Sequence, residues 1–134
     1  MLEYARALPV LPTPQGDNVV IITGAGGSGV LLSDAVTDNG LSLMEIPPDL
    51  DAAFREFIPP FGAAEPGGHH RGEPPSTYEA TIRLGLEDPR IHALVLGYWH
   101  TIVTPPMVFA ELTARVVAEF RERGSPSPWW PPRR

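Results

Sequence analysis

Asn18-Val19-Val20-Ile21-Ile22-Thr23 is a short β-branched run and reads as a buried strand. A glycine-rich stretch, Gly24 to Gly29, follows it directly. Val30 to Thr37 has a helical pattern, with Val30, Leu31, Ala35 and Val36 available to pack, and Asn39-Gly40 supplies a left-handed cap. Leu41 to Ile46 reads as a second strand. Pro47-Pro48-Asp49 opens a helix with Asp49 as N-cap and an apolar stripe of Leu50, Ala53, Phe54 and Phe57. Ser76 is the expected N-cap of a helix to about Leu86, with Glu79 completing a capping box. Asp88-Pro89-Arg90 is a turn, and Ile91 to Leu96 the third strand. Gly97 to Pro106 is a loop. Met107 to Arg123 is the longest helix, with Val108, Leu112, Val116 and Phe120 at spacing four and Gly124 as its cap. Leu2 to Leu8 has the pattern of a helix end, stopped by Pro9, Pro12 and Pro14.

Strand and helix alternate, which predicts an α/β fold with a parallel sheet and helices on both faces. Ligands in such sheets bind beyond the carboxyl ends of the strands. Two loops are expected there, Gly24 to Gly29 and Gly97 to Thr104. The expected organisation is a Pro-rich lead-in over 1–15, one domain over 16–124 and an irregular tail over 125–134.

Composition narrows the chemistry. The 134 residues carry a net charge of −6 and no cysteine. The charge argues against nucleic acid and anionic membranes as partners. The missing cysteine excludes disulfides, thiolate metal sites and a cysteine nucleophile. With no apolar run of membrane length and no signal-peptide pattern, a cytoplasmic location is expected. All ten basic residues are arginine, which together with abundant Ala, Gly and Pro points to a GC-rich gene.

The stretch Gly24-Ala25-Gly26-Gly27-Ser28-Gly29 lets backbone approach a ligand closely and presents N–H groups at a helix start, an arrangement suited to an anion. It is not a P-loop, because no Gly-Lys-Ser/Thr follows. Gly24-x-Gly26-x-x-Gly29 fits the dinucleotide spacing, yet only Glu45 stands near the place of the acidic partner. Tyr98, Trp99, His100 and Thr104 are the expected rim of the same site. His69-His70 lacks carboxylates spaced to complete a metal site, and His92 reads as a surface residue. Ser28 and Ser33 have no recognisable base partner, so no catalytic residue is assigned.

The residues Leu8-x-x-Leu11-Pro12, Gly16 to Leu31, Asp34-Ala35 and Gly40-Leu41 resemble the NDP-forming acyl-CoA synthetases (ADP-forming acetate–CoA ligases), relatives of succinyl-CoA synthetase. The resemblance continues in Tyr78 to Leu86, Asp88-Pro89 and Ile91 to Leu96. It implies a flavodoxin-like ligase domain, a three-layer sandwich, which the tail 125–134 is expected to leave incomplete at its C-terminal edge. The family forms acyl-CoA from an acid, CoA and a nucleoside triphosphate through an acyl phosphate and a phosphohistidine. The resemblance implies that Gly26, Gly27 and Gly29 help to hold the phosphate or the acid. It also implies that CoA and ATP with Mg belong to the intact enzyme. The family's phosphohistidine lies upstream, and its CoA-binding and ATP-grasp domains are expected as partners of this chain.

Two segments depart from the family. Where it reads Gly-Asn-Pro-Val-Asp-hydrophobic-Thr-Gly, this chain has Glu65 to Gly72. A GC-rich coding string for Glu65 to Arg71 yields the family motif in another frame. Ser125 to Arg134 regrouped in the same way reads Ile-Ala-Gln-Pro-Val-Val-Ala-Ser-Ala-Pro, an apolar strand. That reading takes any stacking or anchoring role away from Trp129-Trp130. Three functions follow: a fragment of an acid–CoA ligase, a non-catalytic CoA- or nucleotide-binding module, or the non-functional product of a frameshifted gene. The resemblance favours the first.

Overall fold

The computed structural model describes residue 14 and residues 16–58, 73–100 and 102–123. The elements in chain order are β1 (Asn18–Thr23), α1 (Gly26–Asp38), β2 (Ser42–Leu43), α2 (Pro48–Arg55), α3 (Pro75–Glu87), β3 (Ala93–Gly97) and α4 (Pro106–Glu122). The three strands are parallel in the order β2-β1-β3. β1 is central, with Val19 opposite both Leu43 and Ala93. This is the strand order with which a flavodoxin-like sheet begins.

The β1 side chains alternate between two helical layers. On one face Val20 and Ile22 join Leu50 and Phe54 of α2, Leu84 of α3, and Ile91 just before β3. Leu94 and Leu96 of β3 extend that face under Tyr78 and Ile82 of α3 and Leu112, Val116 and Phe120 of α4. The other face is covered by α1, whose Leu32 reaches Gly97. A parallel sheet thus lies between helices, as the alternation predicts.

Three of the four helices begin at a Pro-Pro pair. Pro47, Pro74 and Pro105 are the N-caps, with ψ of 152, 157 and 150°, and Pro48, Pro75 and Pro106 occupy the first helical position. A residue before proline is driven to extended backbone, and proline at N1 gives up an N–H that has no helical partner anyway. This corrects the capping roles expected of Asp49 and Ser76, both of which lie inside the first turn. Asp49 instead pairs with Arg90 at 2.7 Å, and Glu79 pairs with Arg83 and Arg115 rather than closing a capping box.

Other boundaries also move. α1 starts at Gly26, four residues before the expected Val30, because its first-turn N–H groups need no helical acceptor and Gly29 N–H already bonds Ala25 C=O at 3.0 Å. Of the four residues expected to pack, Val36 is buried while Val30 and Leu31 face outward, 62% and 72% exposed. The helix end is as expected. Gly40 adopts φ +73°, its N–H bonds Thr37 C=O, and Leu41 N–H bonds Val36 C=O, a Schellman closure. β2 pairs over two residues rather than six, since Pro47 and Pro48 follow within five positions. Phe57 lies beyond α2 and is exposed, and Val108 is part-exposed at the start of α4.

His92 is half-buried, not a surface residue. Its Nδ1 accepts the Asn18 backbone N–H at 3.2 Å, fastening the amino ends of β1 and β3. The Leu2–Leu8 helix end, His69-His70, the Gly124 cap, Glu65 to Gly72 and Ser125 to Arg134 lie outside the described residues. No helix among the described residues is long and apolar enough to cross a membrane.

Candidate functional site

The β1 strand delivers Gly24 and Ala25 to the carboxyl end of the sheet, and α1 begins one residue later. Ala25 is the N-cap, with extended backbone (φ −127°, ψ 108°) and no side chain to bond the helix start. The N–H groups of Gly26, Gly27 and Ser28 therefore have no capping partner in α1. The first turn contains no acidic side chain. Among the described residues, a Cβ added at Gly26 or Gly27 would meet nothing within 4 Å. N–H groups without a partner among the described residues, beside the positive end of α1, suit an oxyanion. Thr23 shapes the entry to the turn: its Oγ1 accepts the Ala25 N–H at 3.2 Å.

The second loop starts beside the first. A Cβ at Gly97 would fall 2.9 Å from Thr23 Oγ1, so Gly97 is required for the two strands to end this close. The residues expected on the rim divide. Trp99 and His100 are exposed. Tyr98 turns toward α4, where its hydroxyl donates to Thr104 C=O at 2.6 Å and its ring stacks on Phe109 at 4.7 Å. Thr104 is 1% exposed, and its hydroxyl donates to Glu73 C=O at 2.6 Å. Tyr98 and Thr104 thus brace the loop from below. Glu45 is exposed just past the short β2.

Tyr78, which the sequence places only within the family resemblance, also stands at the turn. It lies in the first turns of α3, 3% exposed, with its ring edge-on to Phe109 at 5.1 Å. Its hydroxyl oxygen lies 2.5 Å from the point a Gly24 Cβ would occupy. Burial pushes the phenol pKa up, and the nearby Glu73 and Tyr98 add to the shift. The only sequence signal was an aromatic with a polar tip on an otherwise apolar helix face.

Comparison with known proteins places this geometry in a family. Residues 19–130 match the Ligase-CoA domain. The chain is 39% identical over 130 residues to the alpha subunit of ADP-forming acetate–CoA ligase I of Pyrococcus furiosus, covering 94% of this chain and 27% of that subunit. It is 36% identical over 99 residues to the alpha subunit of ligase II of the same organism, covering 71% of this chain and 21% of that subunit. Among solved structures it superposes on the dinucleotide-forming acetyl-coenzyme A synthetase 1 of Ca. Korarchaeum cryptofilum in complex with phosphate and ADP. The TM-score is 0.74 at 30% identity, over 87% of this chain and 25% of that one. The chain spans about a quarter of the length of these relatives. The family match covers most of the chain, from within β1 past the end of α4, and the chain belongs to the Ligase-CoA domain family.

Proposed function

We propose that this chain is the part of an ADP-forming acid–CoA ligase that holds an oxyanion, a phosphoryl group or the acyl phosphate, at the Gly24–Gly29 turn. The observation that carries the reading is the start of α1. Gly26, Gly27 and Ser28 offer uncapped N–H groups at the carboxyl end of the central strand, with no acidic side chain in the first turn. The two curated relatives are acetate–CoA ligases by name, and the similar acetyl-coenzyme A synthetase 1 was solved with phosphate and ADP.

In this reading the turn supplies binding and charge stabilisation only. The amides lower the energy of negative charge on the transferring group while a histidine elsewhere in the enzyme carries the phosphoryl. CoA and the nucleotide are held by the remaining parts of the ligase, the CoA-binding and ATP-grasp domains of the family. The chain by itself is expected to form no acyl-CoA from ATP, CoA and short-chain acids, because no histidine here stands in the family's phosphohistidine position and the turn lacks the lysine of a P-loop.

The test is a chimera in which residues 18–123 replace the matching segment of the P. furiosus ligase I alpha subunit. The expected result is retained ADP-forming turnover. Gly27→Asp in the chimera is expected to lower turnover by about 100-fold or more while leaving α1 folded. An acidic first-turn residue favours the helix dipole but repels an anion. A folded chimera without turnover, or one indifferent to Gly27→Asp, would refute the reading.

A further inference from the structure

A buried hydroxyl normally finds a partner, because an unpaired one forfeits its bonds to water. Tyr78 departs from that rule. Its hydroxyl is buried and, among the described residues, has no hydrogen-bond partner. The neighbours that surround it explain its position without satisfying it. Phe109 packs against the ring, Glu73 and Tyr98 stand nearby, and Tyr98 spends its own hydroxyl on Thr104 C=O. Above the oxygen lies Gly24, which is exposed and carries no side chain. The hydroxyl is therefore one glycine below the surface, at the turn that already gathers the unpaired amides of α1.

We propose that Tyr78 is a ligand-binding residue of the glycine turn, its hydroxyl donating a hydrogen bond to an oxyanion seated at Gly24–Gly29 once the Gly24 peptide shifts aside. The inference rests on the oxyanion reading of that turn and adds a side-chain donor to a site otherwise built from backbone. The chemistry of the phenol fits the role. Its raised pKa keeps it protonated, and so a donor, through neutral and mildly alkaline pH. A ligand that is all acceptor completes a set that is all donor. The glycine at 24 has a reason of its own here, since a Cβ would press on the hydroxyl.

An orphan hydroxyl kept for a ligand predicts opposite changes in stability and binding when it is removed. The experiment uses the full chain, with inorganic phosphate as the probe at constant ionic strength, and compares it with Tyr78→Phe. Loss of the hydroxyl is expected to raise the thermal midpoint of the free protein by about 2–8 °C, because an unsatisfied buried group is gone. The same change is expected to weaken phosphate binding about tenfold or more. A lower midpoint together with weaker binding would assign the hydroxyl to packing and overturn the proposal. Phosphate binding left unchanged by Tyr78→Phe would overturn the Tyr78 assignment alone. Absence of phosphate binding by the unaltered chain would overturn the oxyanion reading of the turn, and the Tyr78 assignment with it.

Discussion

Gly24 and Tyr78 compete for one space, and that competition is measurable. A Cβ at position 24 would meet the Tyr78 hydroxyl at 2.5 Å but the ring carbon that bears it only at 3.7 Å, an ordinary contact. Gly24→Ala is therefore expected to destabilise the protein by about 1–3 kcal/mol. In a Tyr78→Phe background the penalty should fall by about 1 kcal/mol or more, since the atom in the way is absent. Chemical denaturation of the two single variants and the double variant completes the cycle, and additive effects would show that the two groups do not touch. At this scale the sequence was half legible. The glycines announced a close approach, and the apolar run before them announced the strand. The place of Tyr78 beside Gly24 was not legible, because the two lie 54 positions apart and no local pattern records the packing of α3 against the end of β1. Thr104 and Tyr98 were legible as loop residues but not as braces, since their bonds run to Glu73 and to each other.

Among the elements, the starts of α2 and α3 depart from the side-chain capping pattern for a physical reason. Side-chain capping by Asp49 and Ser76 competed with proline geometry, and proline prevailed because its fixed φ and its effect on the preceding residue act before any side chain bonds. Helix ends and strand cores were legible: the Schellman closure at Gly40 and the Val19–Ile22 run both follow from local chemistry. What local chemistry does not carry is the joint between α3 and α4. Glu79 accepts from Arg83 and Arg115, each at 2.8 Å, and Arg83 also reaches Glu119 at 2.7 Å. The bonds from Arg115 and Arg83 hold the Glu79 pKa down, to about 2 from an ordinary 4.5. A folded pKa below the unfolded one stabilises the fold above pH 4.5, and that contribution disappears as pH falls toward 2. Thermal midpoints are expected to drop across this window, and Glu79→Gln is expected to make the drop shallower. Identical pH profiles for the two proteins would remove the network from the account of stability.

For the molecule as a whole, the alternation of strands and helices made the parallel sheet and its two covered faces predictable, and the order β2-β1-β3 agrees with the family resemblance. Which apolar residues are core was less legible, because a helix pattern does not reveal which side meets the sheet. Ile82 is 1% exposed between α3 and α4, whereas Leu31 on α1 is 72% exposed. Ile82→Ala is expected to cost about 2–5 kcal/mol, and Leu31→Glu to stay within about 0.5 kcal/mol. Equal costs in denaturation would contradict this placement of the core. The central claim is that the central strand delivers an oxyanion site at the start of α1. Its most direct measurement is a titration of the isotopically labelled full chain with inorganic phosphate at constant ionic strength, followed through the backbone amide resonances. The account predicts saturable shifts at Gly26, Gly27 and Ser28, abolished by Gly27→Asp. Shifts absent there, or centred instead on exposed arginines such as Arg55 and Arg123 and unaffected by Gly27→Asp, would contradict it.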